Sequence, residues 1–188
     1  MNDWRKLQQY LHARFLTSSF AQSAGFATAI GDQPGLKEVR LAETFVDVKV
    51  ELPEPADAIS RVAAEQGLRA DPTQVTQLEI GLDTADRAEI GPFWAAVLTG
   101  DAGNFKDNDV VDPTGRFDNV WFQQTEPHET PRQRFHFDLW VPPEVVADRI
   151  KAAVAAGGTV VSTDEAPAFT VLADPQGNKV CLCTSEGR

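Results

Sequence analysis

The segments QLEIGLD, starting at Gln77, and HFDLWVP, starting at His136, open alike: a polar side chain, an apolar one, an acid, an apolar one. In an extended strand alternate side chains share a face, so His136 and Asp138 would stand ~7 Å apart on one side, as would Gln77 and Glu79. An imidazole beside a carboxylate is an acid/base pair when both meet a ligand, and a mutually satisfied pair when they do not. Four such groups converging on one space are more than a dry core tolerates without partners, which points to a polar ligand pocket. The competing reading has them hydrogen-bonded to one another, cementing the two segments. On the pocket reading His136, Asp138 and Glu79 are the candidate acid/base residues, and Gln77 is a ligand-binding one.

Cys181 and Cys183, in KVCLCT, lie on one side of a further strand, too close and too stiffly held for a mutual disulfide. A thiol becomes a nucleophile beside a base, a cation or a helix N-terminus, and His136 is the one base in prospect. Both cysteines are therefore expected as pocket wall and core, Cys181 on the ligand side. Trp121, Gln123, Trp140 and Phe169 complete the candidate pocket wall, Trp140 sharing the strand parity of His136. Trp94 sits in a helical pattern and is expected beneath the sheet. Arg134, in the proline-punctuated stretch QQTEPHETPRQRF, is a candidate for recognising a carboxylate at the cavity mouth, with a plain surface loop as the alternative. His128 in the same stretch is expected to be solvated.

Elements that could position these residues are legible in the periodicity. Trp4, Leu7, Leu11 and Phe15 have helical spacing and predict a first helix after Asn2 and Asp3. FAQSAGFATAIG predicts a second, VRLAETFVDVKVEL two strands or one bent one, and ADAISRVAAEQGL a third helix ending at Gly67. RADPTQVT, residues 69–76, reads as a linker. Beyond it each acid-bearing strand feeds a helix, RAEIGPFWAAVL in the first copy and EVVADRIKAAVAAGG in the second. Further strands follow: NFKDNDVV and DNVWFQQT, then GTVVST, AFTVLAD and KVCLCT. Two copies of one unit facing each other across a cleft are the simplest account.

Composition bounds the function. The chain has 188 residues, enough for two small domains, and its 42% hydrophobic and 24% charged content is that of a folded globular protein. Its 28 acidic against 17 basic residues give a formal charge of −11, with no basic block to engage phosphates, so nucleic acid and anionic membranes are not expected partners. No apolar run reaches the ~20 residues of a membrane span, and a cytoplasmic location is expected.

The motifs LEIGLDTADRAEIGPFWAAVLTG, VDPTGRFDNVWFQQ, RFHFDLWVPPEVVADRIKAAVAAGGTVV and APAFTVLADPQGNKVCLCT together resemble the vicinal oxygen chelate superfamily in its glyoxalase-like branch. The resemblance covers about residues 75 to 186. It implies an α+β protein with paired βαβββ modules, the glyoxalase/bleomycin resistance-like fold, around one pocket that in many members holds a divalent metal. In that pattern His136 stands at a metal-ligand position and Gln77 at its counterpart. Cys181 falls where metal-binding relatives place a glutamate. One imidazole, one thiol and an amide are a thin ligand set, so neither a metal nor any other cofactor is expected.

The first 70 residues, through DWRKLQQYLHARFLTSSFAQSAGFATAIG and VDVKVELPEPADAISRVAAEQGL, resemble pterin-4a-carbinolamine dehydratases. That resemblance implies a small α/β sandwich, but the family's His-His-Pro segment is replaced by IGDQPGLKEVRLAETF, and a dehydration using imidazole lacks its groups. The expected organisation is thus a non-catalytic dehydratase-like domain at 1–70 and a glyoxalase-like domain at 75–188. The expected function is a metal-independent pocket that binds a small organic molecule and transforms it, if at all, as a lyase or isomerase-type acid/base catalyst. Alternatives are a 4a-hydroxytetrahydrobiopterin dehydratase-type lyase and a non-catalytic interaction protein; a homodimer is expected.

Overall fold

The computed structural model describes residues 2–99, 101–115, 117–127, 135–155, 158–173 and 179–188. Their strands form two sheets. The first is antiparallel and contains β1 (Arg5–Leu7), β2 (Tyr10–Leu16), β3 (Leu36–Leu41), β4 (Phe45–Val50) and β5 (Arg69–Ala70). Its order is β1-β2-β4-β3, with β5 also beside β2. Helices α1 (Phe20–Ile30) and α2 (Pro53–Glu65) cover one face. Ser19 caps α1 by accepting from the Gln22 amide, and Pro53 opens α2, where a missing N–H costs nothing. Alternation in FVDVKV turns Val46, Val48 and Val50 inward, against Phe26, Ile30 and Ile59. Phe15 stacks edge-on with both Trp4 and Phe26.

The expected first helix is instead a β-hairpin. Leu11, Ala13 and Phe15 belong to one alternating strand, while Leu7 lies on another beyond a turn in which Gln8 takes a left-handed φ of 54°. Residues 69–76 are likewise more than a linker, since Arg69 and Ala70 pair with Leu16 and Phe15.

The second sheet has eight strands. Its first unit is β6 (Gln77–Thr84), α3 (Arg87–Thr99), β7 (Phe105–Lys106), β8 (Asp109–Val110) and β9 (Val120–Gln124). The second is β10 (Phe135–Trp140), α4 (Val146–Ala155), β11 (Thr159–Ser162), β12 (Phe169–Ala173) and β13 (Lys179–Cys183). The order β11-β12-β13-β10-β6-β9-β8-β7 is two copies of one βαβββ unit placed head to head. In each copy the first strand runs parallel to the last, and β6 pairs antiparallel with β10. The two units therefore join edge to edge in one continuous sheet, where two facing sheets were expected. NFKDNDVV is a tight hairpin rather than one strand, with Asp107 and Asn108 both at positive φ. Beneath the first unit Leu82, Ala95, Val120 and Phe122 form a core, with Trp94 packed against it as expected.

A seam joins the two sheets. Leu7, fully buried, packs with Val75, Trp140 and Cys183. Arg5 donates to Glu144 at 2.6 Å, Ser185 Oγ donates to the Lys6 carbonyl at 2.7 Å, and Lys49 reaches Asp118 at 3.4 Å. The β1–β2 hairpin is thereby fixed over one end of the second sheet.

Candidate functional site

The antiparallel register of β6 and β10 sets Glu79 opposite Asp138 and Gly81 opposite His136. Parallel pairing then brings Cys181 beside Asp138 and Trp121 beside Gly81. Gly81 is required by what lies above it. A Cβ there would stand 2.8 Å from His136 Cε1 and 3.1 Å from Trp121 Cε2, so the missing side chain is the space the imidazole occupies.

His136 lies between two carboxylates. Its Nδ1 is 3.3 Å from Asp83 Oδ1 and its Nε2 is 3.4 Å from Asp138 Oδ1. The Trp121 ring meets it edge-on at 5.3 Å. Asp138 foremost, and Asp83 behind it, raise the His136 pKa above the ordinary histidine value, against the opposing effect of burial. Trp140 Nε1 donates to Glu79 Oε2 at 2.8 Å. Burial raises the Glu79 pKa, the Trp140 bond works against that rise, and the nearby Asp138 charge adds to it. Cys181 is pushed up to about 12, first by burial and then by Asp138, and Cys183 is raised still further. Neither thiol is a nucleophile in this setting.

A cavity of about 840 Å³ opens on this face. Of the residues expected in the site, His136, Asp138, Glu79 and Cys181 line it, together with Trp121, Gln123, Trp140 and Phe169. Gln77 does not. It is buried opposite Trp140 at the end of β6 and borders a separate cavity of about 160 Å³ that also meets His12, Lys49 and Asp118. The start of the strand lies against the first sheet, which is why shared parity did not bring Gln77 into the larger cavity. Arg134 and His128 lie outside the described residues.

Two contributions went unread in the sequence. Asp83 follows Glu79 and Gly81 at the same strand parity, a signal present in QLEIGLDT. Lys6, Gln8 and Gln9 reach the cavity from the β1–β2 hairpin, and Ser185 and Arg188 from beyond β13. No local pattern announces these, because the seam that places them is tertiary. The Arg188 guanidinium stands 4.5 Å over the Trp140 ring.

The cavity wall carries a set of metal-ligating groups. A His136 nitrogen, an Asp138 oxygen and Cys181 Sγ all lie within 4.8 Å of one another. Asp83 at the other imidazole nitrogen is the kind of outer partner that orients a ligating histidine. An imidazole, a carboxylate and a thiol facing an open cavity fit a zinc-type ion with one free position. The expectation of no metal rested on the thinness of a His136, Cys181 and Gln77 set; the donor beside His136 and Cys181 is Asp138 and not Gln77.

Residues 79–183 match the glyoxalase-like domain family, over more than half of the chain, and the chain belongs to that family. The match begins within β6 and leaves the first sheet outside it. No curated protein matches the chain. Among the described residues no helix is long and apolar enough to cross a membrane.

Proposed function

We propose that the cavity binds a small, planar organic molecule and that His136, held between Asp83 and Asp138, exchanges a proton with it. The observation that carries this reading is the convergence of His136, Asp138 and Glu79 on a cavity of about 840 Å³ that Trp121, Trp140 and Phe169 also line. That volume is within the range that small-molecule sites occupy. Asp83 and Asp138 favour the protonated imidazole, so His136 serves as the acid, while Glu79 supplies a second carboxylate whose proton affinity burial raises. The chemistry within reach is a lyase or isomerase-type proton transfer.

The three-donor cluster favours a second reading in which a zinc-type ion is resident. Held by His136, Asp138 and Cys181, it would supply Lewis-acid polarisation of a ligand oxygen at its free position. The residues around it keep their tasks: Asp83 orients the imidazole, and Trp140 fixes the Glu79 carboxylate. The first 70 residues, in this proposal, are a scaffold for the hairpin at the cavity rim rather than a dehydratase. His12 is their one histidine, and burial together with Lys49 pushes it down to about 4.

Metal content of the untreated protein, followed by a small-molecule screen on chelator-treated and zinc-loaded samples, tests both. Ligands that quench tryptophan fluorescence and lose affinity in His136→Gln without zinc support the first reading. Near-stoichiometric zinc, with binding only in the loaded sample, would replace it by the second. Binding unaffected by His136→Gln in either sample would overturn both.

A further inference from the structure

Charge is distributed unevenly around the cavity. Its floor carries the Glu79 and Asp138 carboxylates, with Asp109 farther along the wall. The cations among its described lining, His136 apart, are Lys6 from the β1–β2 hairpin and Arg188 from the segment after β13. Lys6 is exposed and has no acidic partner among the described residues. The seam nevertheless holds its backbone: the Lys6 carbonyl accepts from Ser185, and Leu7 next to it is fully buried. Alternation along β1 sends Leu7 into the seam and leaves the Lys6 side chain for the rim. Arg188 lies over Trp140, and its charge is felt at both Cys181 and Cys183.

We infer that the cavity selects a planar organic acid, bound with its carboxylate at the Lys6 and Arg188 rim and a hydrogen-bond-donating end at the Glu79 and Asp138 floor. This deepens the function proposed above and rests on it. An anion directed the other way would face the floor carboxylates across a short, poorly screened distance, so the polarity of the cavity sets the polarity of the ligand. Trp121, Trp140 and Phe169 in the same lining offer flat apolar surface to a ring. In a chain of formal charge −11 no long-range field draws an anion in. Recognition is local and falls to these two side chains. The first sheet thereby acquires a role in specificity, since Lys6 reaches a cavity whose floor belongs wholly to the second.

The test is calorimetric titration of the full chain with hydroxylated benzoates and naphthoates and, for each, the matching primary amide. The acid of a pair is expected to bind about tenfold more tightly than its amide at low salt, the scale of one charge-assisted hydrogen bond at a partly exposed site. Lys6→Met should cut the acid's affinity about five- to tenfold and leave the amide's unchanged, and Lys6→Arg should restore the preference. Because Lys6 is exposed, these variants keep the fold. Acid and amide binding equally well, or a preference untouched by Lys6→Met, would overturn the assignment while leaving the pocket intact. If no acid and no amide of the panel binds, the pocket reading falls, and this one with it.

Discussion

His136 Nδ1 stands 3.3 Å from Asp83 Oδ1 and its Nε2 3.4 Å from Asp138 Oδ1, so the imidazole at the cavity wall lies between two carboxylates. The two carboxylates raise the His136 pKa, Asp138 contributing most. A histidine whose folded pKa is raised stabilises the fold most fully below its unfolded value and loses that contribution as pH rises through the folded one. In metal-free protein the imidazole should therefore titrate with a midpoint above the ordinary 6.5. The loss of stability in His136→Gln should be greatest below that pH and shrink above the folded midpoint. NMR of the ring protons and urea unfolding across the pH range measure both. Asp138→Asn should lower the midpoint more than Asp83→Asn does.

Gly81→Ala puts a methyl group where the His136 ring lies, at 2.8 Å from Cε1. Overpacking of this kind costs about 1–3 kcal/mol. The larger effect should be at the site, because the imidazole has to move away from its carboxylates. Thermal unfolding should show a modest drop, and the His136 midpoint should shift toward 6.5.

Cys181, held at about 12, should resist maleimide near neutral pH in the native protein and react rapidly once the chain is unfolded in urea. Zinc reverses the thiol's preference if the His136, Asp138 and Cys181 cluster takes the ion, since a coordinating sulfur sheds its proton. Calorimetry in buffers of different ionisation heat then reads proton release on zinc addition. Cys181→Ser should lower zinc affinity at least tenfold.

Leu7→Ala removes a fully buried side chain from the seam where Val75, Trp140 and Cys183 meet. A cost of about 2–5 kcal/mol is expected in chemical denaturation. The same Trp140 that packs against Leu7 donates to Glu79 in the cavity, so Leu7→Ala should also weaken ligand binding, although Leu7 is outside the cavity lining.

His12 has the opposite sign to His136. Its folded pKa, near 4, lies below its unfolded value, so acid favours the unfolded chain. From about pH 6.5 down to about 4 its neutral burial should cost on the order of 3 kcal/mol of stability. His12→Gln should flatten the acid limb of the stability profile in that window, as read by urea midpoints at each pH.

The two βαβββ units were legible because each begins with a strand of period 2 that runs into a helical pattern, and the pattern is present twice. The same period named Glu79, His136 and Asp138 as neighbours, and the structure places all three on the cavity. The first hairpin was not legible, since leucine, glutamine, lysine and arginine favour helices and a turn at Gln8 resets strand alternation to a spacing that imitates one. Gln77 was misplaced because strand parity says which face a residue takes and nothing about what covers that end of the strand. Lys6 is remote in sequence from the second sheet whose cavity it lines, and the seam around Leu7 and the Ser185 bond to the Lys6 carbonyl bring it to the cavity that Arg188 also lines.

β13 pairs on both sides, with β10 and with β12, so it fills the middle of the second sheet although it is the last of the strands along the chain. During synthesis β10 and β12 each wait with an open edge until residues 179–183 emerge, and the Lys6 carbonyl waits for Ser185. The amino-terminal sheet can assemble early, but the cavity is complete only once β13 has paired, and a chain without β13 leaves two edges unpaired and its cavity without Cys181 and Cys183.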